Sequence, residues 1–342
     1  MGVTSIEWAH YTFNPWRGCT KVSDGCKFCY ADRQSARNPK VLGIWGPNGT
    51  RAIGAEAYWK LPFKWNEEAK AAGERRRVFC ASLADFFEGP ETMPAEAVED
   101  VRISRLRTFD IIDATPWLDW LLVTKRPENV REMWPGGYET PFASMPPVLT
   151  RRQNVWLLTS VEDQETADKR IPELLKCRDL SPVLGLSMEP MLGLVDLTKV
   201  AARNRDGVTY MINAVSGLHG VSRGPFLDWV IVGGESGANA RPMHPNWVRH
   251  LCKQCLVCGV PFFFKQWGEF EPVTPLYHGR DDSAENGRGN LVQVDTAGRI
   301  WGDGDGQPND LQTWLMERVG KKAAGRVLDG QTWDELALVV WS

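Results

Sequence analysis

Trp120-Leu121-Leu122-Val123-Thr124-Lys125-Arg126 is a near-continuous apolar run that ends abruptly in two cations. A strand covered on both faces needs such a run, because alternation would leave one face polar. Five further runs share the form. Val78-Phe79-Cys80-Ala81-Ser82 precedes Leu83-Ala84-Asp85, and Val155-Trp156-Leu157-Leu158-Thr159-Ser160 precedes Val161-Glu162. Val183-Leu184-Gly185-Leu186-Ser187 leads to Met188-Glu189-Pro190, Trp229-Val230-Ile231-Val232 to Gly233-Gly234-Glu235, and Val260-Pro261-Phe262-Phe263-Phe264 to Lys265-Gln266. Helical patterns lie between them at Ala95 to Phe109, Glu165 to Cys177 and Pro245 to Cys258. Strands alternating with helices argue βαβ units. A first strand around Ser5 to Ala9 brings the expected total to about seven. The expected class is α/β: a full or partial (β/α) barrel, with an open doubly wound sheet as its rival.

Active sites of barrel folds gather at the C-terminal ends of the strands. Asp85, Lys125, Arg126, Glu162, Glu189, Glu235 and Lys265 all fall there, although strand ends are polar in any fold. After the first expected strand comes Gly18-Cys19-Thr20-Lys21-Val22-Ser23-Asp24-Gly25-Cys26-Lys27-Phe28-Cys29-Tyr30-Ala31. Three thiols on one loop are one ligand short of a closed tetrahedral zinc site or a four-cysteine iron–sulfur site. An open coordination position is where small-molecule chemistry is expected. Zinc with His10 as fourth ligand, or thiols without metal, are the plainer alternatives. Cys252, Cys255 and Cys258 fall near one helical face, which fits buried helix residues as well as a second metal group. Cys80 and Cys177 read as core.

The chain has 342 residues, 43% hydrophobic and 24% charged, ordinary values for a folded protein. It shows no membrane-length apolar stretch. No basic segment followed by an apolar run opens it, so a cytoplasmic protein is expected, where clustered cysteines bind metal rather than pair as disulfides. The net charge of −3 hides an asymmetry, since Tyr11 to Val78 holds thirteen Lys and Arg against six Asp and Glu. Aromatics interleave those cations, a combination suited to phosphate neutralisation and base stacking. Core packing is the favoured account of the sixteen tryptophans, the alternative being that a few line a groove that stacks bases. No phosphate-binding G-x4-G-K-[ST], G-x-S-x-G or H-E-x-x-H pattern is present, which excludes the commonest nucleotide-hydrolase, serine-hydrolase and zinc-hydrolase signatures. Asn38 to Leu61 reads as a lid or substrate loop and Glu271 to Asp310 as a surface excursion with a hairpin at Leu291 to Trp301. Gly302-Asp303-Gly304-Asp305-Gly306 lacks the terminal Glu of a calcium loop, and residues 311 to 342 read as helical.

Cys26-Lys27-Phe28-Cys29 is similar to the C-x-aromatic-C half of the radical S-adenosylmethionine (SAM) signature, with six residues rather than three in the first gap. The chain resembles a phage and prophage family of uncharacterised radical-SAM-like proteins related to spore photoproduct lyase. The resemblance runs from about Ile6 to about Leu336 through Phe13-Asn14-Pro15-Trp16, Gly18-Cys19, Gly25-Cys26, Met188-Glu189-Pro190, Gly233-Gly234-Glu235-Ser236-Gly237, Phe264-Lys265-Gln266-Trp267-Gly268 and Lys322-Ala323-Ala324-Gly325-Arg326-Val327-Leu328-Asp329-Gly330. It implies a partial (β/α) barrel of the radical SAM type over residues 1–270, with a C-terminal extension over 271–342. It also implies a [4Fe–4S] cluster on Cys19, Cys26 and Cys29, with SAM at the open iron. A 5′-deoxyadenosyl radical, fed by an external electron donor, would then modify or repair a nucleic acid or nucleotide, DNA repair included. On this reading Phe28 packs near the adenine, Tyr30 shields the cluster and Lys125 or Arg126 pairs with the methionine carboxylate. Ser160 and Glu162 hold the ribose, and Glu189 and Glu235 face the cofactor, with a structural ion pair between Glu235 and Arg241 of the same loop as the equal alternative. Trp16, Arg17 and Lys265 face the substrate. Where the superfamily carries Gly-Gly-Glu, this chain has Ser82-Leu83-Ala84-Asp85, leaving Asp85 to receive the SAM amino group. The alternatives are a non-catalytic iron–sulfur or zinc nucleic-acid-binding module, and a radical enzyme acting on a peptide or metabolite. Oligomeric state is not legible.

Overall fold

The computed structural model describes residues 4, 6–136, 149–219, 222–275, 290–301 and 312–338. Two compact units result, one mainly from Met1–Ser160 and Arg170–Gly185, the other from Val161–Lys169 and Leu186–Ala337. The apolar runs form the strands β1 (Tyr11–Phe13), β2 (Arg76–Cys80), β3 (Leu118–Thr124), β4 (Val155–Ser160), β5 (Val183–Met188), β6 (Trp229–Gly233) and β7 (Phe262–Gln266). They follow one another from β1 to β7 in one seven-stranded sheet. A doubly wound sheet would reverse its order partway, so the sequential order is that of a (β/α) barrel type. The pairings β1–β2, β2–β3, β3–β4 and β6–β7 are parallel.

The first strand differs from expectation. Ile6 to Ala9 closes as a turn, with the Ala9 N–H donating to the Ile6 carbonyl, and the ladder begins where the His10 N–H meets the Arg77 carbonyl. Apolarity alone placed the strand too early, because Trp8 and Ala9 are buried yet lie before the strand.

In the first unit, helices α1 (Tyr30–Arg37), α2 (Leu61–Ala72) and α3 (Val98–Ala114) connect the strands. Phe13 stacks on Tyr58 at 5.1 Å and meets Trp59 and Trp120 edge-on at 5.5 and 5.6 Å. Trp65 stacks on Tyr11 at 4.5 Å. The aromatics of the basic region are thus largely its core. Within the glycine-rich stretch after the cysteines, Ala52–Ile53 pairs with Trp16–Arg17, which ties that stretch to the loop it follows.

In the second unit, helix α4 (Pro245–Cys258) takes Pro in its first turn and His244 as a side-chain cap, and ends at Gly259 in the left-handed conformation. Four strands, β8 (Phe270–Pro275), β9 (Leu291–Val294), β10 (Ile300–Trp301) and β11 (Trp314–Arg318), form a sheet ordered β8-β11-β9-β10. The expected hairpin is there, as β9 pairs antiparallel with β10. The expected C-terminal helix is not, since β11 occupies that stretch and, among its described residues, only Lys321–Ala324 is helical. Leu315 and Met316 have good helix propensity, but pairing on both sides by β8 and β9 overrides it. The Asp-Gly run at 302–306 lies outside the described residues. Among the described residues no helix is long and apolar enough to cross a membrane.

Phe13 is fully buried, so Phe13→Ala should cost about 3–5 kcal/mol of stability, read as a lower denaturation midpoint in urea.

Candidate metal centre and its buried charge network

The cysteine loop starts where β1 ends. Gly18 has φ +108°, in the region that favours glycine, and a Cβ there would stand 2.4 Å from the Thr50 carbonyl oxygen. This turn delivers Cys19 to the interior, where it is 8% exposed. Cys26 closes the short turn Asp24–Cys26, and Cys29 precedes α1 as its cap residue. Both are half-buried, and all three are free thiols.

Thr20, the next residue, is gripped by buried charges. The carboxylate of Glu88 accepts from the Thr20 backbone N–H at 2.9 Å. Both of its oxygens accept from Arg51, at 2.7 and 2.8 Å, and neither side chain has any exposed surface. Arg51 Nη2 also donates to Thr20 Oγ1 at 3.0 Å. Arg126 reaches the loop from the end of β3. Its Nη2 donates to the Thr20 carbonyl at 2.8 Å and its Nη1 to Asp85 Oδ2 at 2.9 Å. The same Nη1 stands 3.8 Å from Cys19 Sγ, within donor reach of a sulfur. Asp85 accepts in addition from Thr124 Oγ1 at 2.6 Å and from the backbone N–H groups of Phe87 and Lys125 at 3.1 and 3.0 Å. Two cations and two carboxylates therefore compensate one another, as buried ions must.

Asp85, expected to receive the amino group of SAM, has two donors on each oxygen, which fills its lone-pair sites. Arg126 is likewise committed within the chain. Burial pushes the Cys19 thiol up, Glu88 and Asp85 push the same way, and Arg126 opposes them. Burial disfavours the Arg126 cation, but Asp85, Cys19 and Glu88 outweigh it and raise its pKa. Burial also raises the Cys29 thiol, with the nearby Cys26 adding to the rise and Lys125 opposing it.

Tyr30 is 47% exposed and donates its hydroxyl to the Ser82 carbonyl at 2.8 Å. Asn14 ties the same turn to β1, accepting from the Leu83 N–H at 2.8 Å and donating to Ser82 Oγ at 3.1 Å. Phe28 is half-buried with the Lys27 ammonium 5.4 Å from its ring centre, and the Arg17 guanidinium lies over the Tyr58 ring. Trp16, expected to face substrate, is instead fully buried and stacked on Phe86. The apolar surface of an indole next to Phe86 is worth more inside than on a rim. His10 lies before β1, away from the cysteine loop in the chain, and its Nδ1 accepts from the Arg77 N–H at 2.9 Å.

Among the described residues no group of three or more His, Cys, Asp or Glu side chains is arranged to hold a metal ion. What fits an iron–sulfur cluster is the donor chemistry. Three thiols lie on one loop without a disulfide, Cys26 and Cys29 are close enough to feel each other's charge, and a guanidinium is aimed at the third.

At the end of β4, the buried Ser160 accepts from Arg170 Nη1 at its carbonyl, 2.9 Å away. In the second unit the buried Glu162 accepts at its own carbonyl from the Leu192 and Gly193 N–H groups, at 2.7 and 3.2 Å. Glu189 and Lys265, expected on cofactor and substrate, pair with each other at 2.6 Å, and among the described residues the buried Glu189 Oε1 has no hydrogen-bond partner. Glu235 holds Arg241 through both oxygens at 2.8 Å and also accepts from its backbone N–H. Gly234 is required by packing, since a Cβ would lie 1.9 Å from the Trp267 carbonyl oxygen. Cys252 and Cys255 are buried in α4, and burial pushes the Cys252 thiol up to about 11. Cys177 is core, as expected, its thiol pushed up to about 12 chiefly by burial.

Sequence reasoning missed Arg51, Glu88 and Asn14. Glu88 carries a weak signal, an acid directly after two phenylalanines. Arg51 carries none.

The model of the family DUF5131, described as a protein of unknown function, matches residues 3–337. No curated protein matches the chain. Among solved structures it is similar to a mutant of spore photoproduct lyase, at 14% identity over 83% of this chain and 73% of that one, with a TM-score of 0.41. It is similar to that lyase complexed with dinucleoside spore photoproduct, at 14% identity over 74% and 63%, TM-score 0.41. A third, a mutant with bound AdoMet and dinucleoside spore photoproduct, is 16% identical over 53% and 46%, TM-score 0.36, so the chain spans about half its length. Likeness at this level says nothing of what this chain binds.

Glu88→Ala would leave Arg51 buried without its carboxylate, and should cost about 3–5 kcal/mol. Thermal unfolding should fall accordingly, and limited proteolysis should cut first in the cysteine loop.

Proposed function

This chain belongs to the DUF5131 family, and we propose that it is an iron–sulfur enzyme of the radical SAM type acting on a nucleic acid or nucleotide. Cys19, Cys26 and Cys29 hold a [4Fe–4S] cluster on this reading, and the remaining iron takes SAM. The observation that carries the reading is the grip on Cys19-Thr20 by the buried Arg51, Glu88 and Arg126.

When bound, the cluster and SAM would supply one-electron cleavage of a carbon–sulfur bond and hydrogen abstraction from the substrate. The chain's own residues do the rest. Gly18 and the buried charges fix Cys19, while Cys26 and Cys29 lie toward the outside of the loop. Lys125 offsets negative charge near Cys29. Tyr30 and Phe28 lie on the loop, and Ser160 is the group proposed for a ribose hydroxyl. Lys21, Lys27, Arg37 and Lys40 are exposed on or beside the loop, where phosphates can be neutralised. The proposed setting is the cytoplasm, with an external electron donor.

A second reading, a cluster-bearing nucleic-acid module that does not cleave SAM, is favoured by Asp85, whose oxygens are all occupied.

Anaerobic reconstitution should give a [4Fe–4S]⁺ paramagnetic resonance signal that changes when SAM is added, with 5′-deoxyadenosine released under reduction. A signal indifferent to SAM supports the second reading, and zinc in place of a cluster ends the proposal. Cys29→Ala should lose most of the bound iron. Retention of single-stranded DNA or RNA should weaken steeply with salt, since phosphate contacts release counterions.

A further inference from the structure

Resting on the cluster reading, we propose that Arg126 is a positioning residue that tunes the cluster through the Cys19 sulfur, and is not a ligand of SAM. Its guanidinium is a planar fork with five donors. Here the fork is spent on the Thr20 carbonyl at 2.8 Å, Asp85 Oδ2 at 2.9 Å and Cys19 Sγ at 3.8 Å, with Glu88 Oε1 a further 3.8 Å contact. The side chain is 4% exposed, so little of it remains to meet a cofactor carboxylate. The same Nη1 faces both a carboxylate and a sulfur, which puts Asp85 and Cys19 in competition for one positive charge.

Hydrogen bonds to the sulfurs and the local net charge set the potential of an iron–sulfur cluster. Reduction adds negative charge. A cation donating to a cluster sulfur stabilises the reduced state, and a carboxylate drawing on that cation does the opposite. Arg126 should therefore hold the potential up and Asp85 should hold it down. Loss of each should shift the cluster in opposite directions, a pattern that damage to the loop cannot produce. Lysine at position 126 keeps the charge but cannot serve Asp85, Thr20 and Cys19 together.

The test is a potentiometric titration followed by paramagnetic resonance on reconstituted wild type, Arg126→Gln, Arg126→Lys and Asp85→Asn, with iron and sulfide content measured alongside. Arg126→Gln should move the cluster to a more negative potential and Asp85→Asn to a less negative one, with Arg126→Lys between Arg126→Gln and wild type. Arg126→Gln leaves Asp85 unpaired and is the variant most prone to misfold; Arg126→Lys and Asp85→Asn alone then carry the comparison, with shifts of opposite sign. Unshifted potentials, or shifts of one sign that follow loss of iron, overturn the proposal. So does an Arg126→Lys protein of unchanged potential that no longer responds to SAM, which would make Arg126 a SAM ligand. A wild type without a cluster removes the parent reading and this proposal together, whereas a loaded wild type with unshifted variants removes this proposal alone.

Discussion

Arg51, Glu88, Arg126 and Asp85 are buried together, and each is held by its partner in a charge pair under 3 Å. Pairs of this kind are weak evidence of stability, because desolvation offsets much of the attraction. They are strong constraints on geometry, because any arrangement that separates the partners strands an ion in the interior. Glu88 follows β2, Arg126 follows β3, and Arg51 lies beyond the cysteines. Satisfying all of them brings strand ends and loop to one place, with Thr20 in the middle.

That constraint makes the cysteine loop asymmetric. Cys19 is fixed beside the charges, through a turn that only Gly18 can make against the Thr50 carbonyl. Cys26 and Cys29 sit on a short turn and a helix start, half-buried. One thiol is thus fixed by the fold, and the other two are carried further along the loop.

The second unit solves the same electrostatic problem differently. Glu189 pairs with Lys265 and Glu235 with Arg241, so the polar residues after β5 and β6 neutralise partners within their own unit. A charge at a strand end is therefore not by that fact free to meet a ligand. Among the described residues Glu189 Oε1 is one of the buried polar atoms there without a hydrogen-bond partner.

Much of the architecture was legible in the chain itself. Apolar runs such as Trp120 to Thr124 located six of the seven strands, since full burial on both faces writes itself into continuous hydrophobicity. The helix Pro245–Cys258 was legible to the residue, because Pro at its start and Gly259 after its end are local signals. The three loop cysteines were singled out by their spacing and resemblance. Three features were decided only by tertiary structure. The first strand slid to Tyr11–Phe13 because pairing with Arg76–Cys80, not apolarity, sets a ladder. Residues Trp314–Arg318 became a strand because neighbours on both sides supplied hydrogen bonds that a helix would have made locally. Arg51 and Glu88, thirty-seven positions apart, met because a buried charge must find its counterion, and a sequence records which residues are charged but not which of them the fold will bury.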